Sequence, residues 1–173
     1  GRGGFGNYSH LKKDVLKLLS SRQDDFIVST FVDFFRIPEI PQKDRWIRKA
    51  THIEQVLEME KCIAEDINDV RFFPYIQLHE FEALLFSSNK GFEAFFSEDE
   101  AQKTQIIIQQ FANPEDINST PESAPSKRIT AINNNYDKII EGNLIALEIG
   151  MDIILAKCPH FKEWIYKLKN VCK

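Results

Sequence analysis

The run Phe26–Phe35, FIVSTFVDFF, constrains this chain more than any other stretch, because it is apolar almost throughout instead of alternating. A strand with one wet face alternates polar and apolar side chains, whereas one rich in β-branched and aromatic residues on both faces has to be covered on both. Arg36–Pro41, RIPEIP, must then be loop, since two prolines sit three residues apart. Thr51-His-Ile-Glu54 is a capping box, and Ile53, Val56, Leu57, Ile63 and Ile67 line one face of the helix it opens. Asn68-Asp69 ends that helix. Val70–Gln77 reads as a second buried strand, with Pro74 predicting a bulge or an edge position. Strand, helix, strand at this spacing is a crossover unit, so the two strands are expected to be parallel neighbours.

Around this unit the pattern is helical. Ser9 is placed to cap a helix with Leu11, Val15, Leu18 and Leu19 on one face, broken by Asp24 and Asp25. Glu80–Phe86 predicts a short apolar helix. Ser97-Glu-Asp-Glu100 is a second capping box, for a helix ending near Phe111. Ala112–Pro125 is a polar loop with three prolines, followed by a helix near Ser126–Asn133. Asn143 is expected to cap a strongly apolar helix carrying Leu144, Leu147, Met151, Ile154 and Leu155, which Cys158-Pro159 ends. Phe161, Trp164, Ile165, Leu168 and Cys172 mark a final amphipathic helix. A two-stranded parallel sheet is too small to stand alone, so further strands are expected, either in the C-terminal region or, as the preferred reading, upstream of Gly1. The opening GRGGFGNYSH reads as a tag remnant or the interior of a longer protein.

No apolar run approaches the ~18–20 residues of a membrane helix, so no membrane role and a cytoplasmic location are expected. Cys62, Cys158 and Cys172 form no C-x-x-C pair and read as reduced thiols. The net charge of −4 argues against coating nucleic acid by bulk charge, but not against an enzyme that contacts it through a local metal site.

Asp33 lies near the C-terminal end of a buried strand, where ligand crevices form in open α/β sheets. It is read either as a metal-binding carboxylate or as one that caps the next loop. His79, Glu80 and Glu82 follow the second strand, and parallel pairing is expected to bring them beside Asp33. Glu80 and Glu82 would point about 160° apart on a helix, so one is expected to face the site and the other to be solvated or to favour the helix N-terminus. His79 is a candidate ligand or proton carrier, or a hydrogen-bonded structural residue. An Asp/Glu set with few cysteines suits Mg²⁺ or Mn²⁺ better than zinc. Asn113, Glu115 and Asn118 offer further polar groups in the loop after Phe111. Ser126, Lys127 and Arg128 at a helix start are candidates for phosphate binding through backbone N–H groups and two cations, or for a plain cap with solvated charges. His10, His52 and His160 read as structural. No P-loop, G-x-G-x-x-G, G-x-S-x-G or H-E-x-x-H occurs, the last failing because position 83 is Ala83.

VSTFVDFFRIP, RFFPYIQLHEFEALLF, NPEDIN, APSKRI and CPHFKEW, in that order, closely resemble the bacterial family called domain of unknown function 4276, from about Gly3 to Leu168. That family is similar to a divergent Toprim group related to RloB-type and overcoming-lysogenization-defect nucleases. The resemblance implies an α/β fold: a Toprim-like parallel sheet over residues 1–96, lacking its N-terminal strand here, with an all-helical region over 97–173. It also implies an Mg²⁺- or Mn²⁺-dependent nuclease, partnered by an AAA or ABC type ATPase in anti-phage defence, acting on nucleic acid as a homo- or hetero-oligomer. On that pattern Asp33 stands at the first position of an Asp-x-Asp pair whose second position is Phe35. Glu80 or Glu82 would then supply the missing metal carboxylate, and Lys127 the phosphate-facing lysine. The alternative is a non-catalytic sensing or ATPase-docking module with a degenerate site.

Overall fold

In a computed structural model of the chain, residues 7–21, 25–34, 39–117 and 123–171 are described. They form two compact units, one of Gly1–Leu78 with Tyr166–Lys173 and the other of His79–Ile165. The division falls at Leu78. The fold class is mixed α/β, about 63% helical, with its strands confined to short parallel pairs. Helices therefore supply most of the framework.

The first unit opens with α1 (Tyr8–Leu19). Its cap is Asn7, whose side chain accepts the His10 N–H at 3.0 Å, and Ser9 sits inside the first turn instead of capping it. Asp24, expected to help end this helix, lies outside the described residues; α1 stops at Leu19. The strands are β1 (Val28–Ser29), β2 (Val32–Asp33), β3 (Phe72–Phe73) and β4 (Ile76–Gln77). β1 pairs with β3 and β2 with β4, both in parallel, as the crossover required.

Each continuous strand expected from the sequence is split in two. Pro74 has no N–H, so the ladder cannot run through it. Thr30 bridges the gap: its hydroxyl accepts the Tyr75 N–H at 2.9 Å and donates to the Tyr75 carbonyl at 3.1 Å. Ser29 Oγ likewise donates to the Phe73 carbonyl. After the short α2 (Lys43–Trp46) comes α3 (His52–Ile67), opened by the Thr51–Glu54 capping box and ended by Asn68 in the left-handed region (φ 53°), both as read from the sequence. Val56, Met59, Cys62, Ile63 and Ile67 of α3 join Tyr8, Val15 and Leu19 of α1 and Val28, Phe72 and Ile76 of the strands in one core. Glu60 reaches out of α3 to accept the Ile76 N–H at 2.8 Å.

The second unit is helical: α4 (Glu82–Leu85), α5 (Lys90–Phe95), α6 (Glu98–Gln110), a 3-10 turn at Pro114–Asp116, α7 (Pro125–Ile132), α8 (Ile140–Ile149), α9 (Met151–Lys157) and α10 (Pro159–Val171), the last running from Tyr166 onward into the first unit's residues. The Ser97–Glu100 capping box opens α6 as expected. The apolar helix does not start at Asn143. Asp137 lies just before the apolar run, and its carboxylate accepts the Ile139 and Ile140 N–H groups at 2.8 Å each. Asn143 sits inside the helix and donates to the Ile139 carbonyl. Gly150, at φ 84°, splits the expected single helix into α8 and α9. Cys62 and Cys158 are buried free thiols, and Cys172 lies outside the described residues. No helix among the described residues is long and apolar enough to cross a membrane.

Helices α5 and α8 approach closely at Gly91. A Cβ there would stand 2.7 Å from the Ile145 carbonyl oxygen and 2.8 Å from the Ile149 side chain. A backbone carbonyl cannot swing aside, so Gly91→Ala must push α5 off α8. The expected cost is about 1–3 kcal/mol, because overpacking forces backbone shifts, and Gly91→Val should cost more. Thermal unfolding followed by far-UV circular dichroism measures it, with Tm expected to fall by about 3–10 °C in a chain of this length.

Candidate functional site

The segment after β4 carries the candidate acidic residues, and its backbone is unusual at its first position. His79 is buried with φ 66°, a left-handed conformation that His tolerates better than bulkier or β-branched residues. This sharp turn directs the chain into α4, whose Ala83, Leu84 and Leu85 are buried. Glu82 begins that helix and is itself fully buried. A carboxylate removed from water needs a counter-charge. Lys138, from the segment before α8, supplies it: the ammonium is 2.8 Å from each Glu82 oxygen, with hydrogen-bond geometry toward Oε2. Burial pushes the Glu82 carboxyl above its ordinary range, and the Lys138 hydrogen bond and charge oppose that push. The hydroxyl of Tyr136 is also buried and finds no hydrogen-bond partner among the described residues. Burial, and then the charge of Glu82, raise its pKa.

Glu80 has a different role. Its Oε2 accepts the N–H of Ser126 at 2.9 Å, placing a carboxylate at the start of α7. Pro125 at the first helical position has no N–H, so the Ser126 amide is the first open donor there, and negative charge at a helix N-terminus is favourable. The chain's own carboxylate thus uses the backbone donor expected to hold phosphate. Arg128 is engaged too: its Nε donates to the Ser123 carbonyl at 2.8 Å, and its guanidinium lies 5.6 Å from the centre of the Phe111 ring. Lys127 is exposed. Of the triplet Ser126, Lys127 and Arg128, Lys127 is the one exposed to solvent.

Glu115, in what reads as a polar loop, is 1% exposed. Its two oxygens accept the His160 N–H at 2.9 Å and the Phe161 N–H at 3.0 Å, capping α10 from 45 residues away. Asn113 Oδ1 accepts the Glu115 N–H at 2.9 Å and so shapes the 3-10 turn that aims it. Asn118 lies outside the described residues. Burial raises the Glu115 carboxyl, and the two amides oppose the shift. Cys158, immediately before this helix, lies 3.3 Å from Ser87 Oγ, and burial pushes its thiol up to about 12. At neutral pH it is a protonated core residue, not a nucleophile.

Asp33 belongs to the first unit. It closes β2, half-buried, in register with Gln77 of β4, and Phe35 lies outside the described residues. Gln77 is fully buried; it accepts the Tyr75 hydroxyl and donates to the Leu78 carbonyl. Among the described residues no three His, Cys, Asp or Glu side chains converge as a set able to hold a metal ion. Lys138 and Tyr136 were not singled out from the sequence. Their only signal there is a charged and an aromatic residue in NNNYDK, beside an apolar run, and only the tertiary fold pairs that lysine with Glu82.

Fold and site together define a mixed α/β protein with a short parallel strand pairing and a helical unit held by buried carboxylates. The chain belongs to the family described as domain of unknown function DUF4276, whose model matches residues 2–169. Neither the curated proteins nor the solved structures provide a match.

Removing Lys138 should strand a buried charge. Lys138→Met is expected to destabilise the protein, and Glu82→Gln combined with it should recover most of the loss. The coupling in a double-mutant cycle by urea denaturation is expected at about 1–3 kcal/mol, below a wholly buried pair because the ammonium is half exposed.

Glu115→Ala should cost about 2–4 kcal/mol by orphaning two amides. Because the folded pKa of Glu115 is raised, its protonated form favours the folded state. That contribution is complete below the unfolded value of 4.5 and is lost as pH rises through the folded value. Asp116 acts in the same direction as burial, and the charge of His160 against it. The stability difference between wild type and Glu115→Gln should therefore shrink from pH 4 toward pH 7, measured by urea midpoints across that range.

Proposed function

We propose that this protein is a Toprim-like, divalent-metal-dependent phosphodiesterase that cuts nucleic acid, working with an AAA or ABC type ATPase in anti-phage defence. The observation that supports it best is the parallel pairing of β2 with β4. It leaves Asp33 at a strand's C-terminal end and sends the other strand straight into His79-Glu80-Phe-Glu82. The ends of parallel strands are where open α/β sheets bind ligands, and the five ordered motifs resemble a nuclease-related family.

The donors present suit a hard cation unequally. Glu80 gives one oxygen to the Ser126 amide and keeps the other outside that bond, and Mg²⁺ commonly takes one or two carboxylates with water and substrate oxygens. Asp33, a half-buried carboxylate in the first unit, has the same hard-oxygen chemistry. Glu82 does not suit direct ligation as arranged, since the Lys138 ammonium stands on both of its oxygens. Its role in this proposal is to fix Lys138. A bound Mg²⁺ or Mn²⁺ would polarise the phosphate and acidify a water. The chain's own contribution is to hold that carboxylate at the start of α7, to present Lys127 to a phosphate oxygen, and to keep Glu82 and His79 out of water.

A second proposal is a non-catalytic sensing or docking module. It is favoured by one specific observation: Glu80, Glu82 and Glu115 each already have a protein partner.

Cleavage of DNA and RNA by the full-length protein with Mg²⁺ or Mn²⁺ separates the two. Asp33→Ala and Glu80→Ala are each expected to lower the rate about 100-fold or more, or ~2.7 kcal/mol of barrier, and EDTA should abolish cleavage. Wild-type activity in both variants would end the nuclease assignment. A wild type that neither cuts nor binds Mn²⁺ in a calorimetric titration would favour the docking module.

A further inference from the structure

Glu82 and Lys138 meet across an unequal boundary. The carboxylate is fully buried. The lysine comes from residues 133–139, the connection between α7 and α8, in which Asn134, Asn135, Asp137, Lys138 and Ile139 are exposed. Both ends of this connection are tied to helices. Asn133 donates its N–H to the Ile129 carbonyl of α7 at 2.8 Å and accepts the N–H groups of Asn135 and Tyr136. Asp137 accepts the amides of Ile139 and Ile140 and donates its own N–H to Glu141 of α8 at 2.6 Å. Between the ties, Tyr136 and Lys138 reach inward.

The closing contacts are incompletely satisfied. Only Oε2 of Glu82 has hydrogen-bond geometry toward the ammonium. Glu82 Oε1 and the Tyr136 hydroxyl are both buried without a hydrogen-bond partner among the described residues. Folded interiors leave few such atoms, and each lowers the stability of the state that buries it. The hydroxyl nevertheless has a space left for it. A Cβ on Gly142 of α8 would stand 2.8 Å from that oxygen and 3.7 Å from the Phe81 ring. The Tyr136 ring lies edge-on to Phe96, with 6.4 Å between centres. One ion pair and one ring therefore draw the segment in, against two polar atoms that opening would return to water.

We propose that residues 133–139 form a strap that masks Glu82 through Lys138, and that a divalent cation releases it by competing for the Glu82 oxygens. The inference rests on the metal-dependent reading above, which describes the closed strap, and adds its regulation. With the ammonium in place Glu82 is no ligand. With the strap out, both of its oxygens are open, two residues from Glu80. Mn²⁺ carries twice the charge of an ammonium and takes carboxylate oxygens readily, while the displaced Lys138 regains full hydration.

Trypsin cuts after lysine, so cleavage of the Lys138–Ile139 bond reports the open strap, at a rate that follows the open population. Wild type should be cut there slowly, and about tenfold faster or more at Mn²⁺ concentrations that saturate a calorimetric titration. Glu82→Gln removes the grip, and Gly142→Ala pushes the Tyr136 hydroxyl out. Each should be cut about tenfold faster without metal, and Glu82→Gln should gain nothing further from Mn²⁺. Cleavage after Lys103, inside α6, should stay slow throughout, which separates opening from unfolding. Mn²⁺ binding with no change at Lys138 would overturn the strap and leave the nuclease reading standing, whereas no Mn²⁺ binding at all would sink both. Cleavage of both variants at the wild-type rate, or a rise shared by Lys103, would also overturn the strap.

Discussion

The first amides of α10, at His160 and Phe161, have no partner within their own helix, and a buried helix start without partners is costly. Glu115 meets both. It arrives from a turn of the loop after α6, so one carboxylate ties that loop to the start of the last helix through the interior of the unit. The same device recurs at α7, where Glu80 meets the Ser126 amide. In each case a carboxylate meets the open amides of a helix N-terminus, and the helix gains a cap it cannot make locally. Four of the motifs that resemble the family, HEFEALL, NPEDIN, APSKRI and CPHFKEW, are joined in pairs by these carboxylate–amide bonds. Their separation along the chain reflects a contact in space.

The third acidic residue, Glu82, is stabilised differently. It has a lysine instead of amides, and an ion pair without water around one partner tolerates little rearrangement. Together the three carboxylates make the second unit a set of helices positioned by polar anchors, two of them, Glu82 and Glu115, fully buried. Glu80 is half-buried and gives one oxygen to the Ser126 amide.

In the first unit the organising constraint is Pro74. It interrupts the ladder of two parallel strands, and Thr30 restores the lost pairing through one hydroxyl that contacts both the N–H and the carbonyl of Tyr75. The crossover geometry survives because α3 covers the strands with Val56, Met59, Ile63 and Ile67 and sends Glu60 to the Ile76 amide.

Local signals in the sequence determined a good deal. The parallel crossover, both capping boxes, the end of α3 at Asn68, the short helix after His79 and the buried cysteines at 62 and 158 are all legible, because each depends on residues within a few positions or on a periodicity. Asn7 in place of Ser9, and Asp137 in place of Asn143, were missed, since several polar residues near a helix start compete for the cap and the backbone path chooses among them. Only the tertiary structure decided which carboxylates meet which donors. Glu115 read as a loop residue, Glu80 and Glu82 as one site-facing carboxylate and one solvated or at the helix N-terminus, and Lys138 as nothing in particular. Partners 45 to 56 residues apart leave no local pattern, and the burial that makes their contacts strong exists only once the chain has folded.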